Sequence, residues 1–298
     1  MSPSTRALLQ IHFCVVLWGF TAILGKLITL GALQLVWWRM LLVSGALLLV
    51  RRFWVGIKQM PKRLIAIYAG IGVVVALHWL TFYGSVKLAN ASVAATCMAL
   101  TPIFISFVEP YLAKRKFDSS ELFFGIAAVP GVALVVGGTP AAMRIGILVG
   151  AVSAFFVSIF SSLNKRYIAN SPALTVTGIE MAAGAVFLTF TALVIPLDAP
   201  LLAWPSINDA WLLAALAMGC TLFPFALSLV ALRQISAFSA SLAVNLEPIY
   251  AIVLAILLLG EQRELATSFY IGVAIILIVV FLHPLWSGRR KVSDQVIK

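Results

Sequence analysis

Charged residues are scarce in this sequence. Asp, Glu, Lys and Arg make up 10% of the 298 residues, whereas 62% are hydrophobic and the mean hydropathy is +1.09. So little polar surface cannot coat a globule in water, which excludes a soluble enzyme or a soluble binding module. We therefore expect an integral membrane protein, with the bilayer as the solvent of most side chains.

Cysteine and histidine are rare too, with three residues of each. The cysteines lie in apolar segments without paired or metal-ligand spacing, so we expect packing roles, no metal site and no cofactor. His12, His78 and His283 are too dispersed for HExxH, and neither GxSxG nor paired aspartates occur, so we predict that the protein is not an enzyme. An intramembrane enzyme assembled from distant residues stays open as an alternative. A channel or scaffold is the third class, although the sequence shows no repeated filter or charged ring.

Apolar segments long enough to cross a bilayer recur along the whole chain. A helix needs about 17 to 25 such residues to span the hydrocarbon core. The segments are 7–28, 33–50, 64–86, 91–112, 120–138, 145–164, 173–196, 209–230, 237–259 and 265–285. Alternating ten-residue segments of the barrel type are absent, so the predicted fold class is all-α, with ten transmembrane helices.

Basic residues cluster in every second connection between these segments. If both termini are cytoplasmic, most of the 21 Lys and Arg residues lie on the inner side, as the positive-inside rule requires. Topology therefore accounts for the net charge of +11, and attraction to anionic membrane lipids is a side effect. A compact basic domain with a basic-aromatic face is missing, so we do not expect nucleic acid as a partner.

The two halves of the chain resemble each other. Segment 91–107 aligns without gaps on segment 237–253, and weaker similarity extends upstream. Ten helices divide into two sets of five, and an odd number forces the second set to be inverted in the membrane, which is an architecture of alternating-access transporters. The predicted units are a first repeat at 1–140, a second, inverted repeat at 141–286 and a basic cytoplasmic tail at 287–298.

Several short motifs match one known family. They are Leu17-Trp18-Gly19-Phe20, Arg39, Leu100-Thr101-Pro102, Asn245-Leu246-Glu247-Pro248 and Leu258-Leu259-Gly260-Glu261. Together they resemble the EamA-type branch of the drug/metabolite transporter superfamily. The resemblance implies a secondary carrier of the bacterial inner membrane, commonly an exporter of amino acids or other small metabolites. The first repeat departs from the family pattern, because Leu112-Ala113-Lys114 stands where Leu-Gly-Glu is expected.

Glu247 is the carboxylate closest to the middle of a predicted span. Pro248 follows it, lacks an N–H and locally opens the helix. We expect Glu247 to take up a coupling proton or to meet a cationic group of the solute, and the alternative is a packing residue at a kink. Pro102 and Pro248 are equivalent in the two repeats and are predicted hinges, whereas the alternative is a pair of static kinks.

Two more charged residues lie inside predicted spans. Arg39 and Glu180 occupy matching positions in the two repeats, and inversion places them at opposite depths, so we do not expect them to pair. Arg39 is expected to attract an anionic group such as a carboxylate, and Glu180 to gate or bind from the cytoplasmic side. The alternative for both is that the side chain reaches a nearby helix end.

A solute cavity is predicted around the third apolar segment. Trp79 and Tyr83 are four residues apart and share a helix face, and His78 flanks them. An apolar ring, a hydroxyl and an imidazole suit a small amphipathic solute. The other predicted cavity residues are Trp18, Thr101, Ser158 and Asn245. The alternative is ordinary aromatic packing and hydrogen bonding between helices.

Overall fold

Helices account for nearly all of the structure. The computed structural model describes residues 2–114, 117, 123, 126–195, 199–244, 246–279 and 282. Within these ranges there is no β-strand, so the all-helical fold class is confirmed. The predicted tail at 287–298 and the predicted cavity residue Asn245 lie outside the described residues.

The order of the elements follows the apolar segments. The helices are α1 (Pro3–Leu27), α2 (Ala32–Leu48), α3 (Arg51–Gln59), α4 (Lys62–Leu88), α5 (Ala91–Met98), α6 (Thr101–Leu112), α7 (Val129–Gly137), α8 (Arg144–Tyr167), α9 (Ala173–Thr191), α10 (Ile207–Ala214), α11 (Phe223–Ala231), α12 (Ala237–Val244), α13 (Glu247–Leu254) and α14 (Thr267–Val279). A π-helix at Ala215–Leu222 joins α10 to α11, and another at Ala255–Leu259 extends α13. Short 3₁₀ turns lie at Ala141–Met143, Ile168–Asn170 and Glu261–Arg263.

Six helical stretches of the described chain are long and apolar enough to cross a membrane. They are Pro3–Leu27, Lys62–Leu88, Ala91–Leu112, Ala141–Tyr167, Ala173–Thr191 and Ile207–Ala231. A seventh is present if α2 and α3, which meet at a bend of 87°, form one broken span. Shorter apolar helices occupy Glu247–Leu259 and Thr267–Val279. The membrane-helix character is therefore confirmed, whereas the number of ten spans stays a prediction.

Two helices break at positions 146 residues apart. The first break separates α5 from α6, which begins with Thr101-Pro102, and the second separates α12 from α13, which begins with Glu247-Pro248. Proline is tolerated in the first turn of a helix because the N–H that it lacks has no intrahelical acceptor there. Both predicted hinge prolines therefore start a new helix segment, and they do not lie inside a continuous helix.

The same 146-residue offset links the chain's unusual backbone angles. Lys114, shortly after α6, has φ 56°, and Gly260, at the end of the π-helix after α13, has φ 71°. No other described residue has a positive φ. Glycine adopts this left-handed conformation without steric cost, whereas lysine does not. The first repeat thus retains the backbone turn of the second although its residue is different.

Close helix packing holds the functional elements together. α4 packs against α8 and α9, and α1 packs against α11 and α13. At the crossing of α4 and α9, Gly72 lies against the backbone of Glu180, and a Cβ at position 72 would overlap it. This contact fixes Glu180 against α4.

The bundle has two ends that differ in their bonding. The near end is the end at which α1 begins and α8 and α11 end. There Lys165 Nζ donates to Leu232 O over 2.8 Å. The far end is the one at which α1 ends and α5, α8 and α10 begin, where the backbone N–H of Thr29 donates to Asp209 over 2.8 Å.

Candidate functional site

A cavity of about 120 Å³ lies between the helices. It extends from Thr21 and Arg39 in the interior towards Ile11 and Asn164 at the near end. Its full lining is Ile11, Trp18, Thr21, Arg39, His78, Trp79, Phe82, Met98, Thr101, Val157, Phe160, Ser161, Asn164, Phe225, Ser228, Leu229, Leu232, Ala240, Val244 and Glu247. Most of this surface is apolar, and the charged groups at it are Arg39 and Glu247.

Arg39 is fixed by three neighbours. Its Nε donates to Thr221 Oγ1 over 2.5 Å and its Nη1 donates to Tyr83 Oη over 2.9 Å. The guanidinium carbon lies 3.7 Å from the centroid of the Trp79 ring, a cation–π stack. The residue is 2% exposed, and within the described chain its Nη2 makes no hydrogen bond. A planar, oriented guanidinium whose Nη2 has no partner among the described residues is suited to bind a carboxylate.

Thr221 reaches Arg39 because of the π-helix that precedes α11. Its own hydroxyl donates to Leu216 O, five residues earlier, over 2.6 Å. Pro224 follows within one turn and has no N–H, which favours an irregular bonding pattern here. Sequence reasoning missed Thr221. The available signal was a proline three residues after a threonine in an apolar segment.

Glu247 occupies the first position of α13 at the cavity wall. It is 7% exposed, and no hydrogen bond from the described chain reaches its carboxylate. It interacts electrostatically with Arg39 without forming a salt bridge. The cavity therefore presents one cationic and one anionic group that are available to a zwitterion.

His78 lines the cavity, and its Nδ1 is bonded to Ser153. Ser153 Oγ donates its only hydrogen to His78 O over 2.8 Å, so the 2.8 Å contact between Oγ and His78 Nδ1 requires a proton on Nδ1. That leaves Nε2 as the nitrogen available to a solute. The imidazole lies 5.5 Å from the ring of Phe160, and the ring of Trp79 lies 6.1 Å from that of Phe225. The predicted aromatic wall thus includes rings from three helices.

The remaining predicted residues divide into two groups. Trp18 and Thr101 line the cavity. Tyr83 is fully buried, and its hydroxyl supports Arg39 from outside the cavity. Ser158 is not at the wall either, because its hydroxyl donates to Phe155 O of its own helix over 2.6 Å.

The rotation of α8 explains why Ser158 is displaced. Val157, Phe160, Ser161 and Asn164 are spaced by three or four residues and share the helix face at the cavity. Ser158 lies on the neighbouring face. The polar residues that α8 contributes to the cavity are therefore Ser161 and Asn164.

Glu180 lies outside the cavity. It is fully buried on α9, and its polar neighbour is Asn164, which lies at the cavity wall. Arg39 and Glu180 are not brought together. Within the described chain, no three His, Cys, Asp or Glu side chains converge in a way that could hold a metal ion.

Comparison with known proteins gives a consistent result. The profile of the EamA-like transporter family matches residues 5–137 and again residues 144–283. No curated protein sequence matches the chain significantly. A solved structure titled only as a crystal structure of a protein superposes with a TM-score of 0.66 at 17% identity, covering 94% of this chain and 98% of that chain. This similarity shows a shared fold.

Proposed function

Because the chain belongs to the EamA-like transporter family, we propose that it is a secondary active transporter that exports a small amphipathic metabolite, such as an amino acid, by alternating access. The observation that supports this most directly is the pair of opposite charges, Arg39 and Glu247, which face one cavity flanked by aromatic rings.

The proposed solute matches these groups one by one. The Nη2 edge of the Arg39 guanidinium binds a carboxylate, Glu247 binds an ammonium group, and the rings of Trp18, Phe160 and Phe225 contact an apolar side chain. The cavity is close in size to the roughly 150 Å³ cavity that holds one benzene molecule in an apolar core. A compact metabolite therefore suits the space better than a peptide or a lipid.

The membrane arrangement that we propose has ten helices in two inverted repeats, at 1–140 and 141–286, with a basic tail at 287–298. Two pairs of equivalent features, 146 residues apart, support it: the helix breaks before Pro102 and Pro248 and the left-handed residues Lys114 and Gly260. The prolines would serve as hinges between inward-open and outward-open states.

Orientation follows from charge. Lys165, Arg166 and Arg233 lie at the near end, so we propose that this end and both termini face the cytoplasm of a bacterium and that the far end faces outward. In this arrangement the cavity reaches towards the cytoplasm, where an exporter takes up its solute.

Counterflow in proteoliposomes with matched solutes tests the two binding groups. The solutes are an amino acid, the carboxylic acid that lacks its amino group and the amine that lacks its carboxylate. Glu247→Gln should weaken transport of the amino acid and the amine about 10- to 100-fold and leave the carboxylic acid unaffected, because one charge-assisted bond is lost. Arg39→Lys, which keeps the charge but loses the planar fork, should weaken the amino acid and the carboxylic acid instead.

Glu264→Gln is the matched control, because Glu264 lies at the far end and bonds Asn90 away from the cavity. The site assignment is wrong if both cavity variants weaken all three solutes equally. If no solute exchanges in the wild-type protein, the proposed function itself fails.

A further inference from the structure

One buried carboxylate has no hydrogen-bond donor or positive side chain paired with it among the residues that the structure describes. Glu180 is fully buried, and neither carboxylate oxygen has a hydrogen-bond partner in the described chain. Asn164 on α8 faces it and is 1% exposed, and its amide nitrogen and oxygen are unpartnered as well. Two buried polar side chains are thus neighbours whose atoms do not reach full hydrogen-bond geometry.

Two other buried carboxylates accept several hydrogen bonds each, and Glu247, which accepts none from the described chain, has Arg39 as a positive neighbour. Glu261 accepts three hydrogen bonds, from the N–H groups of Ala91 and Ser92 and from Ser92 Oγ. Asp209 likewise accepts bonds from Thr29 and from Ser206. An unpaired carboxylate inside a membrane protein costs several kcal/mol, so a position that keeps one requires a positive partner.

A further buried hydroxyl group on α9 has no hydrogen-bond partner in the described chain. It belongs to Thr177, which stands one turn before Glu180 on the same face of α9. The close contact of Gly72 holds the backbone of Glu180 in place. Carboxylate, amide and hydroxyl oxygens are the ligand types that hard cations prefer.

The fixed charges around Glu180 do not supply the missing partner. From α4, Tyr68 interacts with it electrostatically, but the Tyr68 hydroxyl donates its one hydrogen to Tyr167 O and can accept from Ser171 Oγ, 2.8 Å away. Arg233, after α11, lies beside Tyr68 and donates to Ser171 O. Arg39 on α2 interacts with Glu247, and Lys165 on α8 donates to Leu232 O. In the described chain, no basic residue of α3 interacts with Glu180.

We propose that Glu180 and Asn164 form a binding site for a small cation, either a proton or Na⁺, that is filled and emptied through the cavity. Asn164 lies both at the cavity wall and beside Glu180, so it is the gate between them. A bound proton would let the acid donate to Asn164 Oδ1 while Asn164 Nδ2 donates back. A bound Na⁺ would take ligands from the carboxylate, from Asn164 Oδ1 and from Thr177 Oγ1. The inference deepens the proposed function by locating its coupling ion.

Dicyclohexylcarbodiimide tests the site without any transport assay. This apolar reagent adds to protonated carboxylic acids, and peptide mass mapping identifies which one has reacted. We expect labelling at Glu180 and none at Glu261, because hydrogen bonds already occupy the Glu261 oxygens. Above the midpoint of its titration, Glu180 labelling should fall about tenfold per pH unit, as the protonated fraction does.

Two comparisons distinguish the ions and test the gate. Protection of Glu180 by NaCl but not by choline chloride at constant pH identifies Na⁺, and equal labelling in the two salts identifies a proton. Asn164→Leu, similar in size but apolar, should reduce Glu180 labelling severalfold and leave labelling at Glu247 unchanged. Asn164→Asp keeps an oxygen ligand at this position, so labelling at Glu180 should be retained.

Absence of Glu180 labelling at every pH, or labelling that responds neither to pH nor to Na⁺, overturns the proposal. An equal loss of labelling at Glu180 and Glu247 in Asn164→Leu overturns the role of Asn164 as the gate. Because labelling reports ion binding alone, these outcomes are independent of whether the counterflow experiment succeeds.

Discussion

The starts of α5 and α12 are equivalent in the two repeats, yet they are held differently. Asn90 caps α5 by accepting from Val93 N over 2.9 Å, and Ser236, 146 residues later, caps α12 by accepting from Ser239 N over the same distance. The α5 start has in addition the carboxylate of Glu261. The residue 146 positions before Glu261 is Arg115, a base that cannot accept such bonds.

The side chains that bond to the backbone also differ between the two ends of the bundle. A helix start exposes N–H groups and a helix end exposes carbonyl groups, so acids satisfy the former and bases the latter. At the far end Glu261 and Asp209 accept from N–H groups, whereas at the near end Lys165 and Arg166 donate to Leu232 O and Leu112 O. The cavity extends away from the end at which Glu261 and Asp209 accept these bonds.

The largest effect is expected from Glu261→Ala. It leaves the N–H groups of Ala91 and Ser92 without acceptors in a buried place, and the free energy of unfolding should fall by about 3 kcal/mol. Equilibrium unfolding in detergent micelles measures the change, with Ser236→Ala as the control at the equivalent helix start. A loss no larger than that of the control would mean that the carboxylate does not distinguish the two ends.

A smaller loss is expected from Asp209→Asn. The Asp209 carboxylate accepts from Thr29 N over 2.8 Å and from Thr29 Oγ1 over 2.6 Å, and an amide can replace only one of its oxygens as an acceptor. We expect the free energy of unfolding to fall by about 1 to 2 kcal/mol. Thr29→Val removes the hydroxyl half alone, and it should cost less if both bonds contribute.

The two caps themselves give a matched pair. Asn90→Ala and Ser236→Ala should each cost about 1 kcal/mol, as is usual for a lost N-cap. Asn90→Ala should cost more, because Asn90 Nδ2 also donates to Glu264 Oε2 over 3.0 Å. In a Glu264→Leu background, which has no acceptor for Asn90 Nδ2, the two losses should become more alike. Equal losses in the native background would show that the bond to Glu264 contributes nothing.

The smallest effect, and the only stabilising one, is expected from Lys114→Gly. Lys114 has the left-handed conformation that costs a side chain about 1 kcal/mol, so glycine should raise the free energy of unfolding by about 0.5 to 1 kcal/mol. Gly260→Ala is the reverse control at the equivalent position and should lower it. A destabilised Lys114→Gly variant would show that the lysine side chain compensates for the strain of its backbone.

Much of the fold could be read from the sequence because its determinants are local. Proline and the apolar length of a helix are visible in the chain, and the expectation that proline locally opens its helix agrees with the breaks before α6 and α13. Arg39 and Glu247 could be singled out because charge is rare in apolar segments. The predicted segment 33–50 ends where the bend of 87° between α2 and α3 lies, whereas the helix α3 beyond it was not predicted.

The composition of the cavity wall could be predicted only in part, because it depends on helix rotation. Ser158 and Ser161 are equally polar and nearly adjacent, yet only Ser161 lies at the cavity. The contact between Asn164 and Glu180 joins residues of different helices, and nothing local announces it. Thr221 is aimed at Arg39 by a π-helix that an apolar pattern does not reveal.

That π-helix makes the cavity sensitive to chain length. A π-helical turn takes up one residue more than an α-helical turn within the same full rotation, so the helices before and after it keep their faces. Deleting one residue such as Gly219 and restoring regular α-helix would therefore leave Phe225 and Leu229 near the cavity. The change would fall inside the turn, where the Thr221 hydroxyl donates to Leu216 O five residues earlier and accepts from Arg39 Nε. Loss of a single codon in this stretch is thus a short evolutionary route to an Arg39 without its Thr221 support, with every other helix unchanged.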